Sequence, residues 1–553
     1  MTVSAAEAVD RVPGTVRLVD FGHQLHNVKH QTGKSDVVLI PQPTSNPNDP
    51  LNWSKARKEY HFWLLWIWGF IAAVSVNWSG PVWTQLADDL HTDYVHLNIS
   101  SALCWLFLGI GCVLLQPTSM KIGRRPVYIL GTLFNIAGCI CGGLMHTVKQ
   151  YFAVNILTGF GAAPVDSLVE ISTTDLFFLH ERGTRLSLYI FAIYAGSYLG
   201  PVASGYIAAS QDWRWCFWYL VIFFAVLLLV QILSLEESSF RRPAQPLLGE
   251  DVAAAKTINY DDEEAAAAAA AAAATVYENE EERQGETDSD SPPVKTFTQR
   301  LRLWDVSQND PRSWLLLAIQ PFSLLVFPPI VWAGVVYGVQ VMWLSLLAST
   351  QSLIFNAAPY NFSVEVVGDT NFAAFIGGSL GMLWGGSLSD WYTQRLARRN
   401  NGIMEPEFRL WMMLPLAIIN TAGVLMYGVG AAQGAHWIVP AGFGTAFIGF
   451  GIGSGGAIAI TYAVDCYPEV ASESLVLMLF LRNMVGTGFT FAIQPWLDLD
   501  GLQTTSIIMA VLCLVFNLSF VIFTWKGKSM RRWTAKRYWS MAERSRAVHA
   551  AVI

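Results

Sequence analysis

Two carboxylates and one guanidinium stand inside stretches of this chain that are otherwise apolar. Asp166 and Glu170 occur in "GAAPVDSLVEISTTD", and Arg482 occurs in "FLRNMVG". Four residues apart, Asp166 and Glu170 share one face of a helix. Two like charges that close together in an apolar segment are costly, so one of them is expected to be protonated part of the time or to face water. That is what coupling to protons, or contact with a substrate, requires; the alternative is a pair satisfied by neighbouring helices for structure alone. Arg482 has two readings as well: snorkelling to a nearby interface, or pairing with a carboxylate such as Asp465 or with an anionic substrate group. Tyr337 and Gln340, on either side of Gly338, place an aromatic ring and an amide in an otherwise apolar segment and are candidate cavity residues.

The elements that must carry these groups follow from composition. Of 553 residues, 53% are hydrophobic and only 14% charged, against roughly a quarter charged in an ordinary soluble chain. Apolar runs long enough to cross a bilayer lie near 62–83, 99–119, 126–146, 150–173, 186–209, 214–235, 323–349, 371–391, 410–430, 435–461, 475–496 and 503–525. The fold class expected is an all-α integral membrane protein of twelve transmembrane helices in two six-helix bundles. Residues 1–61 form an N-terminal segment without a removable signal peptide. Residues 62–235 form the first bundle, 236–312 a linker, 313–525 the second bundle and 526–553 a tail. The linker, with "DDEEAAAAAAAAAATVYENEEERQGETDSDSPP" at its centre, is acidic and poor in hydrophobic residues other than alanine, which predicts disorder. With a cytoplasmic N-terminus, the inside loops hold Lys121, Arg124, Arg125, Arg182, Arg185, Arg395, Arg398, Arg399 and Arg409, whereas the outside loops hold Lys149 and Arg214. This positive-inside asymmetry puts both termini in the cytoplasm.

The two halves echo each other. The second span ends in "PTSMKIGRR", and the eighth in "GGSLSDWYTQRLARR". Gly123, Arg124 and Arg125, together with Gly386-Ser387-Leu388-Ser389-Asp390 and Arg398 and Arg399, resemble the cytoplasmic-loop motif of the major facilitator superfamily. In the fifth span "GSYLGPVASG" (Gly196, Gly200, Pro201, Gly205) resembles its antiporter motif, with Ser204 in place of a glycine. "DPLNWSKARK", "DWRWCFW", "RRNNGIMEPEFRL", "PYNFS" and "YAVDCYPE" resemble the fungal twelve-span drug:proton antiporter branch.

The resemblance implies a pseudo-symmetric transporter working by alternating access, with its substrate cavity between the halves. It implies proton-coupled export of an amphipathic small organic molecule, such as a drug or a fungal secondary metabolite. An uptake permease for a small cationic nutrient or polyamine is the alternative, and a membrane receptor or scaffold the alternative of another class. The expected partners are the substrate, protons and the lipid bilayer of the plasma membrane, with the monomer as the working unit. No nucleic acid, cofactor or metal is expected, and no catalytic constellation is present, so the chain is not expected to be an enzyme. Gly123, Arg124, Arg125, Asp390, Arg398 and Arg399 are the expected cytoplasmic gate. Because Met120 stands opposite Asp390, the Asp390 side is expected to form the stronger charged latch and the Met120 side to close mainly by packing. Asn155, a further candidate for proton coupling or substrate contact, stands where many relatives have an arginine in R-x-x-x-G, which departs from the family pattern. Asn98 and Asn361 head glycosylation sequons in loops expected outside.

Overall fold

The structure, a computed structural model, describes residues 12–17, 30–31, 34–38, 46–240, 296–303, 312–400 and 403–550. Most of the expected linker therefore lies outside the described residues. Among them, eleven helices are long and apolar enough to cross a membrane, from Lys55–Asp89 to Pro468–Arg544. The last of these holds two of the expected spans: the helix Ala471–Leu518 is broken at Gly501 (φ 74°, ψ 165°). With that break counted, the helices follow the order read from the sequence.

Helix ends are set locally. Ser54 caps the first span by accepting from the Arg57 amide at 3.4 Å, and Asp93 caps the second by accepting from the His96 amide at 3.0 Å. Thr147 and Gln150 form a reciprocal capping box at the fourth. The second and third spans, Tyr94–Ile122 and Arg124–Gly143, are joined by Gly123 alone, at φ +99°. That conformation favours glycine, and a Cβ there would lie 2.5 Å from the Glu237 carboxylate.

The interior divides as the chain does. One core is built from residues between Trp53 and Leu235, with Trp68, Trp83, Tyr128 and Tyr189 among its largest buried members. A second core, between Leu324 and Tyr538, lies wholly in the later half. A third is also drawn from the later half, apart from Tyr194 and Tyr198 of the fifth span, which insert into it. The fifth span is thus where the first bundle reaches into the second. Short antiparallel pairs join His30–Gln31 to Lys34–Val38 and, on the face that carries both termini, Val16–Arg17 to Ile403–Met404.

Candidate functional site

A cavity of about 590 Å³ lies between the two halves, within the size range of small-molecule sites. Its walls are mostly apolar, with aromatic faces from Trp105, Phe191, Tyr194, Tyr198 and Tyr337. Asp166, Glu170 and Arg482 all line it. Pro164, which cannot donate to the helix, precedes the pair. The backbone departs from ideal helix at Leu168 (φ −105°, ψ −31°), between the two carboxylates, so they sit on either side of a distortion in the fourth span.

Arg482 is the centre of the polar cluster. Its guanidinium makes an ion pair with Asp166 across the interface between the halves. It also donates to the Tyr337 hydroxyl at 3.0 Å and to Asn483 Oδ1 at 2.9 and 3.1 Å. Arg482 is 6% exposed, so this is a buried pair, not a snorkelling side chain. In low dielectric, removing one partner strands the other charge and costs roughly 3–5 kcal/mol. Glu170, one turn nearer the terminal face, has no hydrogen bond or ion pair among the described residues. The cluster therefore presents two carboxylates and one guanidinium, with one carboxylate left for a proton or a cation.

Asn155 and Gln340 lie elsewhere. Asn155 donates to Ser100 Oγ at 2.7 Å and to the Tyr151 carbonyl at 3.2 Å, beside a separate void of about 20 Å³. Gln340 is fully buried inside the second half, donating to Asn517 Oδ1 at 2.7 Å and accepting from Asn420 at 2.8 Å. Both amides are used up within one half. Periodicity could not separate them from Tyr337, because the cavity face of a helix is set by its neighbours. The same limit hid Asn77, Ser197 and Ser379, which also line the cavity.

Away from the termini the halves are tied by uncharged groups. Thr84 Oγ1 and Ser352 Oγ are 2.6 Å apart, Asn356 donates to Thr84 at 3.0 Å, and a Cβ on Gly80 would lie 1.9 Å from Gln351 Nε2. Towards the termini, Thr184, Ser187, Gly386, Ser387 and Leu475 are cavity wall. The cavity is thus sealed on the far side and reaches towards the terminal face. Asn98 belongs to the sealed side: it is 1% exposed within the second span and donates to the Tyr94 carbonyl at 3.0 Å. A buried helical side chain cannot accept a glycan, which corrects the expectation for Asn98. Asn361 is exposed, in the turn before Ser363.

The antiporter-like stripe faces two ways. A Cβ on Gly196 would lie 2.4 Å from the Phe70 carbonyl, and one on Gly200 3.2 Å from Val74 Cα, both in the first span. One on Gly205 would lie 2.9 Å from the Val364 carbonyl, in the eighth span, where Gly368 in turn approaches the Pro201 carbonyl. Small residues let three backbones touch at this junction, and Ser204 is held there by donating to the Trp78 carbonyl at 2.6 Å.

On the terminal face each half has a latch. In the first, Arg124 pairs with Asp175 at the end of the fourth span. Glu237, just after the sixth, accepts from the main-chain amides of Arg124 and Arg125, each at 3.0 Å. Arg125, 2% exposed, donates to the carbonyls of Ile232 and Leu301. In the second, Arg409 pairs with Asp390 at 2.7 Å and Asp465 at 3.4 Å. This corrects two expectations. Arg398 and Arg399 end an exposed helix, Ser389–Arg399, and form no ion pair among the described residues; the arginine at the start of the ninth span does that work. The Met120 side is not held mainly by packing, because Glu237 and Asp175 supply the acid that position 120 lacks. Among the described residues no cluster of three or more His, Cys, Asp or Glu could hold a metal ion, and all seven cysteines are free thiols.

Residues 65–484 match the family model described as Major Facilitator Superfamily. An MFS-type transporter of Schizosaccharomyces pombe is 32% identical over 96% of this chain and 94% of its own length. Protein HOL1 of Saccharomyces cerevisiae is 30% identical over 96% and 97%. A probable efflux pump of Aspergillus flavus is 25% identical over 82% and 98%. Among solved structures, a peptide transporter POT is similar with a TM-score of 0.56 at 13% identity, over 87% of this chain and 96% of that one.

Proposed function

We propose, from the premise that this chain belongs to the Major Facilitator Superfamily, that it exports an amphipathic small organic molecule in exchange for protons. The chain is a multi-pass membrane transporter of the MFS type. The observation that carries the finer reading is the cavity between the halves, apolar and aromatic over most of its wall, with Asp166, Glu170 and Arg482 gathered on one side. Such a site takes a flat or hydrophobic body and fixes it by one charged or polar group. The antiporter-like junction of the fifth span and the similarity to a probable efflux pump support export.

In this mechanism Asp166 and Arg482 hold the halves together across the cavity. A proton on Asp166 removes the charge–charge attraction of that pair, and the guanidinium keeps Tyr337 and Asn483 as partners on its own side. The halves are then free to rock about the junction at Gly205 and Gly368. Glu170 takes the second proton or the substrate's cationic group. Both termini lie in the cytoplasm on the positive-inside argument, the plasma membrane is the site of action, and the monomer suffices because the cavity is built from one chain.

A second reading, uptake of a small cation, is favoured by one observation: the cluster has one more carboxylate than guanidinium. Transport in sealed vesicles separates the two. With an outward-facing proton supply, lipophilic organic cations leave the cytoplasmic side and Asp166→Asn and Glu170→Gln abolish that exit if export is right. Accumulation of a small polyamine on the cytoplasmic side under the same gradient establishes uptake instead, and no flux of any kind returns the receptor reading.

A further inference from the structure

The terminal face of the second half holds a feature that the transport cycle does not use. Arg531, in the helix after the last span, is 0% exposed. It donates to both oxygens of Glu407, at 3.0 and 2.7 Å, which is a bidentate charged pair. Its remaining donors go to the chain's N-terminal segment: the Pro13 carbonyl and, at 3.2 Å, Thr15 Oγ1. The next residues, Val16–Arg17, add a strand to Ile403–Met404. Between these anchors Gly14 adopts φ +77°, and a Cβ there would lie 2.5 Å from the Asp465 carbonyl and 2.8 Å from Cys466 Cα. Only glycine meets both demands.

All the groups that receive this segment belong to the second half, yet the segment leads into the first span of the other half. Residues 18–54 separate it from that span; among them His30–Gln31 pair with Lys34–Val38 and Pro50–Asn52 form a short helix. Residues 12–17 are held in their seat by the Arg531 contacts and the strand pairing with Ile403–Met404. The seat also touches the second-half latch directly, since Asp465, whose carbonyl meets Gly14, pairs through its carboxylate with Arg409.

We propose that the terminal face of the second half is a peptide-docking site whose occupant is the chain's own residues 12–17. Docking braces Asp465 and Arg409 and so holds the form in which the cavity reaches the terminal face. Release of the segment lets the halves close there and open on the far side. The proposal is independent of substrate and of transport direction.

Hydrogen exchange on the full-length chain in lipid nanodiscs, with Gly14→Val as the undocking variant, tests it. In the parent, peptides covering 12–17 and 403–404 exchange slowly, and Gly14→Val speeds both by roughly tenfold. Ser349→Cys, at a position 2% exposed near the sealed side, reports the far opening. In a Cys141→Ser background, because Cys141 is a partly exposed free thiol on that side, labelling at position 349 by a membrane-impermeant thiol reagent applied there rises about fivefold when Gly14→Val is added. A synthetic peptide of residues 10–20, given in excess to the Gly14→Val chain, restores slow exchange at 403–404 and slow labelling. Because the peptide repairs a folded variant, misfolding cannot imitate this result. Fast exchange at 12–17 in the parent, exchange unchanged by Gly14→Val, or labelling indifferent to the segment and to the added peptide would each overturn the proposal.

Discussion

The two halves carry the same kind of latch, built from different parts of the sequence. In each, an arginine at the start of the third span of its bundle, the half-buried Arg124 or the buried Arg409, pairs with an acid at the end of the following span, Asp175 or Asp465. The second acid is where they part. The second half takes it from within the motif, as Asp390, which is 57% exposed. The first half has Met120 at that place and takes the acid from beyond its sixth span, as Glu237, aimed at the amino end of the third. An anion at a helix amino terminus meets unsatisfied amides and the positive end of the dipole. A missing charge in a repeated motif is therefore no measure of a missing interaction.

The cavity shows a division of another kind. The first half supplies acid, Asp166 and Glu170, and the second supplies base and its support, Arg482, Tyr337 and Asn483. Like latches at the edge and unlike charges at the centre suit two bodies that rock on each other: the edge keeps each body rigid, and the centre reports which way they lean.

Several substitutions bear on that contrast. The largest effect is expected at the centre: Arg482→Met leaves Asp166 buried and unpaired, and transport in proteoliposomes falls by about 100-fold or more. Combining it with Asp166→Asn recovers most of the lost thermal stability without recovering transport; recovery of transport would make the pair structural. Glu170→Gln comes next. It lowers gradient-driven flux by roughly tenfold while leaving energy-independent substrate exchange within about twofold, because among the described residues the side chain makes no hydrogen bond or ion pair whose loss would disturb the fold. At the edge, Glu237→Gln lowers the flux by about fivefold and the melting temperature by several degrees, while Asp390→Asn, whose carboxylate is exposed, costs about twofold. Equal effects, or a larger one at Asp390, would break the comparison of the latches. The smallest effects are expected for Met120→Asp and for Arg398→Gln with Arg399→Gln, each within about twofold of the parent.

Much of the architecture was legible because lipid imposes a long apolar period that composition alone reveals. Helix order and the two bundles came from that signal. At the centre, Asp166, Glu170, Arg482 and Tyr337 were legible because polar groups in apolar runs are expensive and so conspicuous. Their partnership was not. Asp465 looked like the acid for Arg482, and the chain instead brings Asp166 from the other half, 316 positions away. Gln340 was conspicuous by the same rule and Asn155 by its place in the R-x-x-x-G pattern; both are satisfied inside single bundles, since an amide can be satisfied by a neighbour's hydroxyl or amide. The sequence echo at the latches misled in a different way. "GRR" and "ARR" look alike, but the helix Ser389–Arg399 carries its arginines into solvent, and the equivalent of Arg124 is Arg409. Neither Glu237 nor Arg531 stands out in the sequence. Only the way the chain returns on itself gives them buried partners.

The central claim is that the Asp166–Arg482 pair between the halves, with Glu170 beside it, couples protons to substrate movement. Proton flux and substrate flux measured together in proteoliposomes of parent and Glu170→Gln chains test it most directly. The account predicts that adding substrate to the parent drives protons the opposite way, and that Glu170→Gln still exchanges substrate but moves few or no protons with it. Undiminished, substrate-dependent proton movement in Glu170→Gln would contradict it.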